Sequence, residues 1–540
     1  MKKCDTLVLG NIITLDSDVD LVSAMAIKDG TVVYVGDKDT AEKLCDEKTK
    51  VLDYSGKYIY PGFFDSHTHG SMAGQRIKFQ CSLGAGQSMQ EYVDIMAKYI
   101  KDNPGRSVYF GAGWVKRSEP TAKMLDEICK DVPVILTSSD GHSMWVNSIC
   151  LKQCGFDGEF AKQLGTDLIH VDENGDPTGL LSETATMIVM GKFPPTKEDI
   201  KEGLLAWQEF AFEHGMTAVV DAAGDGYPEA LQAYQELVEE GKWKLRTYAY
   251  DFHKELIDNP DEYVKTIKKD IETYNSEYFK VVGSKLFFDG VVEAHTAYLV
   301  DGYEDDKNYH GVFNFAGKEE KAKEIIEKLN AENIPVHIHT VGDGAIKFAM
   351  DCIENSEINN CNFTVKNCLA HLQVVKPEDI KRIGEYNVIA IVAPLWVPAI
   401  ATYFKPEVDY LGEDRAYNTY PIKSFENVGA TICFHSDYPV TTIVDYPKSF
   451  YIAAKRKDPK YGAKSVKNPD EGIAQYRSLL ALTVNGAYMV SEKRLGKLVP
   501  GMIANCVVYD HNLLDSNIDS VLDAKLVSTI IDGEVVYKAE

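Results

Sequence analysis

The chain has 540 residues, enough for a large core and more than one domain. Apolar content of 45% and charged content of 26% are those of an ordinary globular protein, and 57 basic against 82 acidic residues leave a net charge of −25. That balance argues against a nucleic-acid binder, which needs basic surface to meet phosphates, and no apolar run reaches the ~18 residues of a membrane span.

The first residues, "MKKCDTLVLGNIITLD", carry a lysine pair but no apolar leader segment. "TLVLGNIITLD" reads as a strand, and "AIKDGTVVYVG" (26–36) as a β-hairpin around Asp-Gly. The other end repeats this grammar in "ANCVVYDHN" and "TIIDGEVVYKA" (529–539). One small β-sandwich domain built from both termini is therefore expected, from 1–58 and 486–540, with the middle inserted into it. The eleven cysteines are scattered and odd in number, and the closest pair, Cys150 and Cys154, has no partner pair. They read as free thiols in a reducing compartment, and the chain as cytoplasmic.

"YPGFFDSHTHG" (60–70) opens the middle. Side chains two apart on a strand point the same way, so His67 and His69 face one side together. About 145 residues then pass before the next strand signal, too many for one crossover, so ~75 to ~195 are expected to form an insertion. Leaving the C-terminal end of a first barrel strand, it is expected to cover the pocket. Its Trp114, Asp140, His142, Trp145 and Asn147 suit a small-molecule pocket, or equally the packing of the insertion itself.

Beyond it, Ile200, Leu204, Trp207 and Ala211 fall at helical spacing, and Gly215 stops that helix before "MTAVVDAAG". Ala322, Ile325, Ile326 and Leu329 do the same before "IPVHIHTVGD", and Ile346, Ala349, Met350 and Ile353 follow it. With "GFFDSHTH", "KLRTYAYDF", "VGSKLFFDG", "CLAHLQVV", "VIAIVAPLW" and "ATICFHSDYPV", eight apolar strands alternate with helices. The fold class is α/β, a (β/α)8 TIM-like barrel over 59–485.

Lys285, His339, His371 and Asp437 each stand within or at the end of one of these strands. With His67 and His69 they place His, Lys and Asp on five strands of one barrel. Imidazole and carboxylate suit zinc and similar divalent ions. His435 shares the face of Asp437, and His337 that of His339; each reads either as a pocket group or as packing. Asp343 reads as a helix cap or as an orienting partner of His339.

At this point the chain resembles the amidohydrolase superfamily, specifically the YtcJ-like metal-dependent hydrolases that include N-substituted formamide deformylases. The resemblance runs nearly end to end. It rests on "PGFFDSHTHG", "KLFFDG…HTAYL", "HTVGDGA", "AHLQ" and "HSDYPV", in that order. It implies one or two divalent metal ions, with zinc foremost. His67 and His69 would hold the more buried ion. Lys285, carboxylated on its amine, would bridge two ions, and His339 and His371 would hold the second. Asp437 would bind the first ion and act as catalytic general base. The implied reaction is hydrolysis of a C–N amide-type bond in a small molecule.

The pattern departs from the family in three places: Ala370 where Glu often precedes the histidine, "HTVGDGA" for "HAIGDRA", and His435 where Gly is frequent. None removes an implied ligand; they bear on the ligands' surroundings and the substrate. Alternatives left open are a deaminase or mononuclear hydrolase, a lactone or phosphoester hydrolase, and a non-catalytic scaffold. A homodimer is compatible with the size and acidity, and no interface is legible.

Overall fold

The computed structural model describes residues 3–16, 21–84, 88–116, 118–138, 143–222, 227 and 229–540. The chain divides into two compact units, Met1–Gly70 with Trp207–Glu540, and Ser71–Ala206.

The first unit holds an eight-stranded parallel sheet. Its strands are β1 (Phe63–Thr68), β2 (Met216–Ala222), β3 (Arg246–Asp251), β4 (Phe279–Phe287), β5 (Val336–Thr340), β6 (Cys368–His371), β7 (Ile389–Val392) and β8 (Ile432–Phe434). They pair in sequence order, and they are the eight strands expected from the apolar runs. The runs are continuous rather than alternating because both faces are covered: every residue of β1, β2 and β3 is buried. Phe64, Val220, Tyr250, Cys368, Ile391 and Cys433 pack into one buried cluster with Ala487 and Met489.

The seam between β8 and β1 closes just past the strands. Asp437 N–H donates to the His67 carbonyl at 3.0 Å, and His69 N–H to the Tyr438 carbonyl at 2.9 Å. These bonds tie the two segments that carry His67, His69 and Asp437, half of the candidate ligands.

A second sheet in this unit has seven strands in the order Glu534–Lys538, Leu526–Ile531, Cys506–Tyr509, Lys50–Pro61, Thr6–Ile13, Leu21–Lys28, Thr31–Gly36. Both ends of the chain thus contribute strands to one sheet. Lys50–Pro61 is its centre, and Gly62 hands the chain to β1. A Cβ on Gly62 would lie 2.1 Å from Thr217 Oγ1, so the close approach to β2 requires glycine.

The second unit is built on a six-stranded sheet in the order Ile169–Val171, Pro177–Ser182, Ser143–Val146, Val134–Ser138, Tyr109–Trp114, Gln80–Ser82. Here the reading of Trp114, Trp145 and Asn147 as pocket residues is corrected. Both indoles are fully buried in this unit's core, donating to the carbonyls of Leu136 (2.8 Å) and Thr121 (2.9 Å). Asn147 caps the helix Ser148–Cys154 and donates to the Cys129 and Val132 carbonyls, each at 2.8 Å. Asp140 and His142 lie outside the described residues. Among the described residues, no helix is long and apolar enough to cross a membrane.

Candidate metal centre

The C-terminal ends of the barrel strands bring the chemistry together. His67 stands near the end of β1 and His69 just beyond it; Lys285 is on β4, His337 and His339 on β5, His371 ends β6, and His435 and Asp437 follow β8. In barrels of this kind that end is where strand residues converge on a site.

Two ring nitrogens meet one carboxylate oxygen. His67 Nε2 lies 3.3 Å and His69 Nε2 3.1 Å from Asp437 Oδ1. The other nitrogen of His67, Nδ1, lies 2.8 Å from His337 Nε2. Ligand atoms of His67, His69 and Asp437 all fall within 4.8 Å of one another, and so do those of His371, His435 and Asp437.

His339 joins this neighbourhood from β5, its ring centroid 4.4 Å from that of His371. Its Nε2 is 3.1 Å from the Gly290 carbonyl. A carbonyl only accepts, so the proton sits on Nε2 and Nδ1 carries the lone pair. His371 stacks on Trp396 at 5.3 Å and 13°.

Burial pushes the histidine pKa values down, because imidazolium loses its hydration there, and the buried Lys285 adds like-charge repulsion. His67, His337 and His371 fall well below the usual imidazole value, with His339 and His435 also opposing charge on His371. His339 and His435 are lowered to about 4, again chiefly by burial. All five rings are therefore neutral at pH 7, the form that binds metals. Burial also opposes charge on Asp437. His69, His435 and Lys285 outweigh it and hold the carboxyl below its ordinary value.

The donor set fits a divalent cation. His371 Nδ1 and both ring nitrogens of His435 are buried without a hydrogen-bond partner. Buried polar atoms of this kind are rare in native proteins unless an ion or water completes them. Two of the implied ligands also sit in the left-handed backbone region, His371 at φ 82° and Asp437 at φ 56°. Strain of this sort concentrates at functional sites.

Two carboxylates that the residue pattern did not single out support this arrangement. Asp65, on the face of His67, accepts Ser436 N–H at 3.1 Å and the Tyr446 hydroxyl at 2.9 Å, tying β1 to the segment after β8. Burial raises its pKa to about 6. Asp289 accepts from the backbone N–H groups of Tyr298 (3.0 Å), Val341 (3.0 Å) and Gly342 (2.7 Å). Its Oδ1 stands 3.8 Å from His339 Nε2, and burial raises its pKa to about 7. The signal for both was present, an aspartate at even spacing from a histidine on β1 and one closing "KLFFDG".

A separate group, Asp251, His253 and Asp270, reads as an ion-pair cluster. His253 Nε2 is 3.0 Å from Asp251 Oδ2 and 2.9 Å from Asp270 Oδ2. These two carboxylates raise the histidine to about 10.

A sequence profile of the amidohydrolase family matches residues 50–537. The chain is 26% identical to YtcJ of Bacillus subtilis over 98% of each chain. It is 23% identical to the N-substituted formamide deformylase of Arthrobacter pascens, over 98% of this chain and 97% of that protein. The crystal structure of a metal-dependent hydrolase from Pyrococcus furiosus matches with a TM-score of 0.78 at 26% identity, covering 94% of this chain and all of that one.

Proposed function

The chain belongs to the amidohydrolase family, whose membership supports a metal-dependent hydrolase, and on that premise we propose that it cleaves a C–N amide-type bond in a small molecule. N-substituted formamides, N-acyl amines and cyclic amides are the substrate classes. The observation that carries the reading is the convergence of His67 Nε2 and His69 Nε2 on Asp437 Oδ1, ringed by neutral imidazoles.

His67, His69 and Asp437 would hold one ion, and Lys285, His339 and His371 a second, zinc being the ion these donors suit best. Such ions supply Lewis acidity, acidifying water and polarising a carbonyl. Lys285 would take part as a carbamate: its ammonium gives up one proton, the freed amine adds carbon dioxide and gives up a second, and a cation becomes an anion whose single charge is shared by two oxygens. The exchange reverses the sign of the charge that now bears on the surrounding histidines.

Asp437 receives the proton of the attacking water on a carboxylate oxygen and passes it to the leaving nitrogen. His69 and His435 favour its ionised form, the form that accepts a proton. His337 and the Gly290 carbonyl hold the rings of His67 and His339 in orientation. All eleven cysteines stand as free thiols, which supports a reducing, cytoplasm-like setting.

The test is a panel of formamides, N-acyl amines, N-acyl amino acids and cyclic amides, read by amine release from metal-loaded protein, with lactones and phosphoesters beside them, read by acid release. Release from at least one class is expected. Turnover confined to lactones or phosphoesters would overturn the bond assignment.

A further inference from the structure

Resting on the metal-dependent reading above, we infer that His435 is itself a metal ligand, supplying a nitrogen to a cation seat shared with His371 and Asp437. Ligand atoms of these three residues lie within 4.8 Å of one another, and all three side chains are buried. His435 has neither ring nitrogen hydrogen-bonded, and His371 Nδ1 is in the same condition. A histidine that only packs gains nothing from two buried nitrogens, and one that only orients a neighbour would be bonded to it.

The wall behind the seat is aromatic. Trp396 stacks on His371, and its ring centroid lies 5.6 Å from that of His435. The indole N–H is engaged by Thr441 Oγ1 at 2.7 Å, so Trp396 contributes surface and no competing donor. Asp437 belongs to both groups of converging ligands, which puts it between the two seats.

Cobalt(II) titration of metal-free protein, with visible absorption and elemental analysis, tests this. Wild type is expected to take up about two ions per chain. His435→Gln should keep the first and weaken the second by about 100-fold or more, at or beyond the upper end of the ~10–100-fold seen when an outer hydrogen-bond partner is lost. His435→Cys should restore the second ion with a new near-ultraviolet thiolate-to-cobalt band. Two ions in His435→Gln at unchanged affinity and spectrum, with no new band in His435→Cys, would overturn the inference and leave the proposed function standing. A wild type that takes up no ion would overturn the proposed function and the inference with it.

Discussion

His67 Nδ1 and His337 Nε2 stand 2.8 Å apart, two neutral rings sharing one proton. For His67 to offer an Nε2 lone pair to an ion seated beside Asp437, the shared proton must sit on its Nδ1, with His337 Nε2 accepting. His337 then orients a ligand without being one. Replacing it with phenylalanine leaves His67 Nδ1 unpaired, and metal affinity is expected to fall about 10–100-fold. Competition with a chromophoric chelator measures this. An unchanged affinity would mean that His67 is oriented by something else.

Asp437 carries a proton as well as a ligand oxygen in the proposed reaction. Asp437→Asn is nearly the same shape and retains an oxygen donor, so most of the bound metal should stay. Loss of the general base should lower kcat by about 10²–10⁴. Steady-state kinetics on the metal-loaded variant, beside its metal content, separate the two effects. Full activity would remove Asp437 from the base role.

Asp289 is a structural anchor whose loss should be felt at His339. Three backbone N–H groups end on its carboxylate, joining the segment after β4, which includes Tyr298, to the turn after β5 at Val341 and Gly342. Asp289→Ala would strand them, at ~1–3 kcal/mol for each buried group left unpaired. Chemical denaturation should show a loss of several kcal/mol, with a smaller loss in Asp289→Asn. Equal stabilities would show that the turn finds other acceptors.

The Asp251–His253–Asp270 cluster gives a pH signature. The folded-state pKa of His253 is raised to about 10 from 6.5, so its contribution is fully present below pH 6.5 and is lost as pH rises through about 10. His253→Gln should therefore be least stable relative to wild type near pH 6. The gap should narrow between pH 6.5 and 10 and close above that. Urea midpoints at three pH values decide it. A gap independent of pH would assign His253 a packing role instead.

Much of this was legible in the sequence, for physical reasons. The eight barrel strands announce themselves because parallel strands covered on both faces are continuous apolar runs, and His67, His69, Lys285, His339, His371 and Asp437 stand out as ionisable residues in such runs. The six-stranded sheet of the insertion was not read. Its outer strands, Gln80–Ser82 and Ile169–Val171, have three residues each, too short for a period to show. Trp114 and Trp145 have the composition of a pocket and the burial of a core, and only the fold separates the two. Strand period gave the face of His435. Its approach to His371 depends on how β6 and β8 converge in the barrel, which one sequence does not show.

The most direct test of the central claim is metal content per chain, on protein purified without chelator and supplied with bicarbonate. About two divalent ions in wild type, falling in Lys285→Ala, are expected of a carbamate-bridged pair. About one ion, unaffected by Lys285→Ala, would contradict the pair and move the chain to a mononuclear hydrolase. No ion after reloading would contradict the metal centre itself.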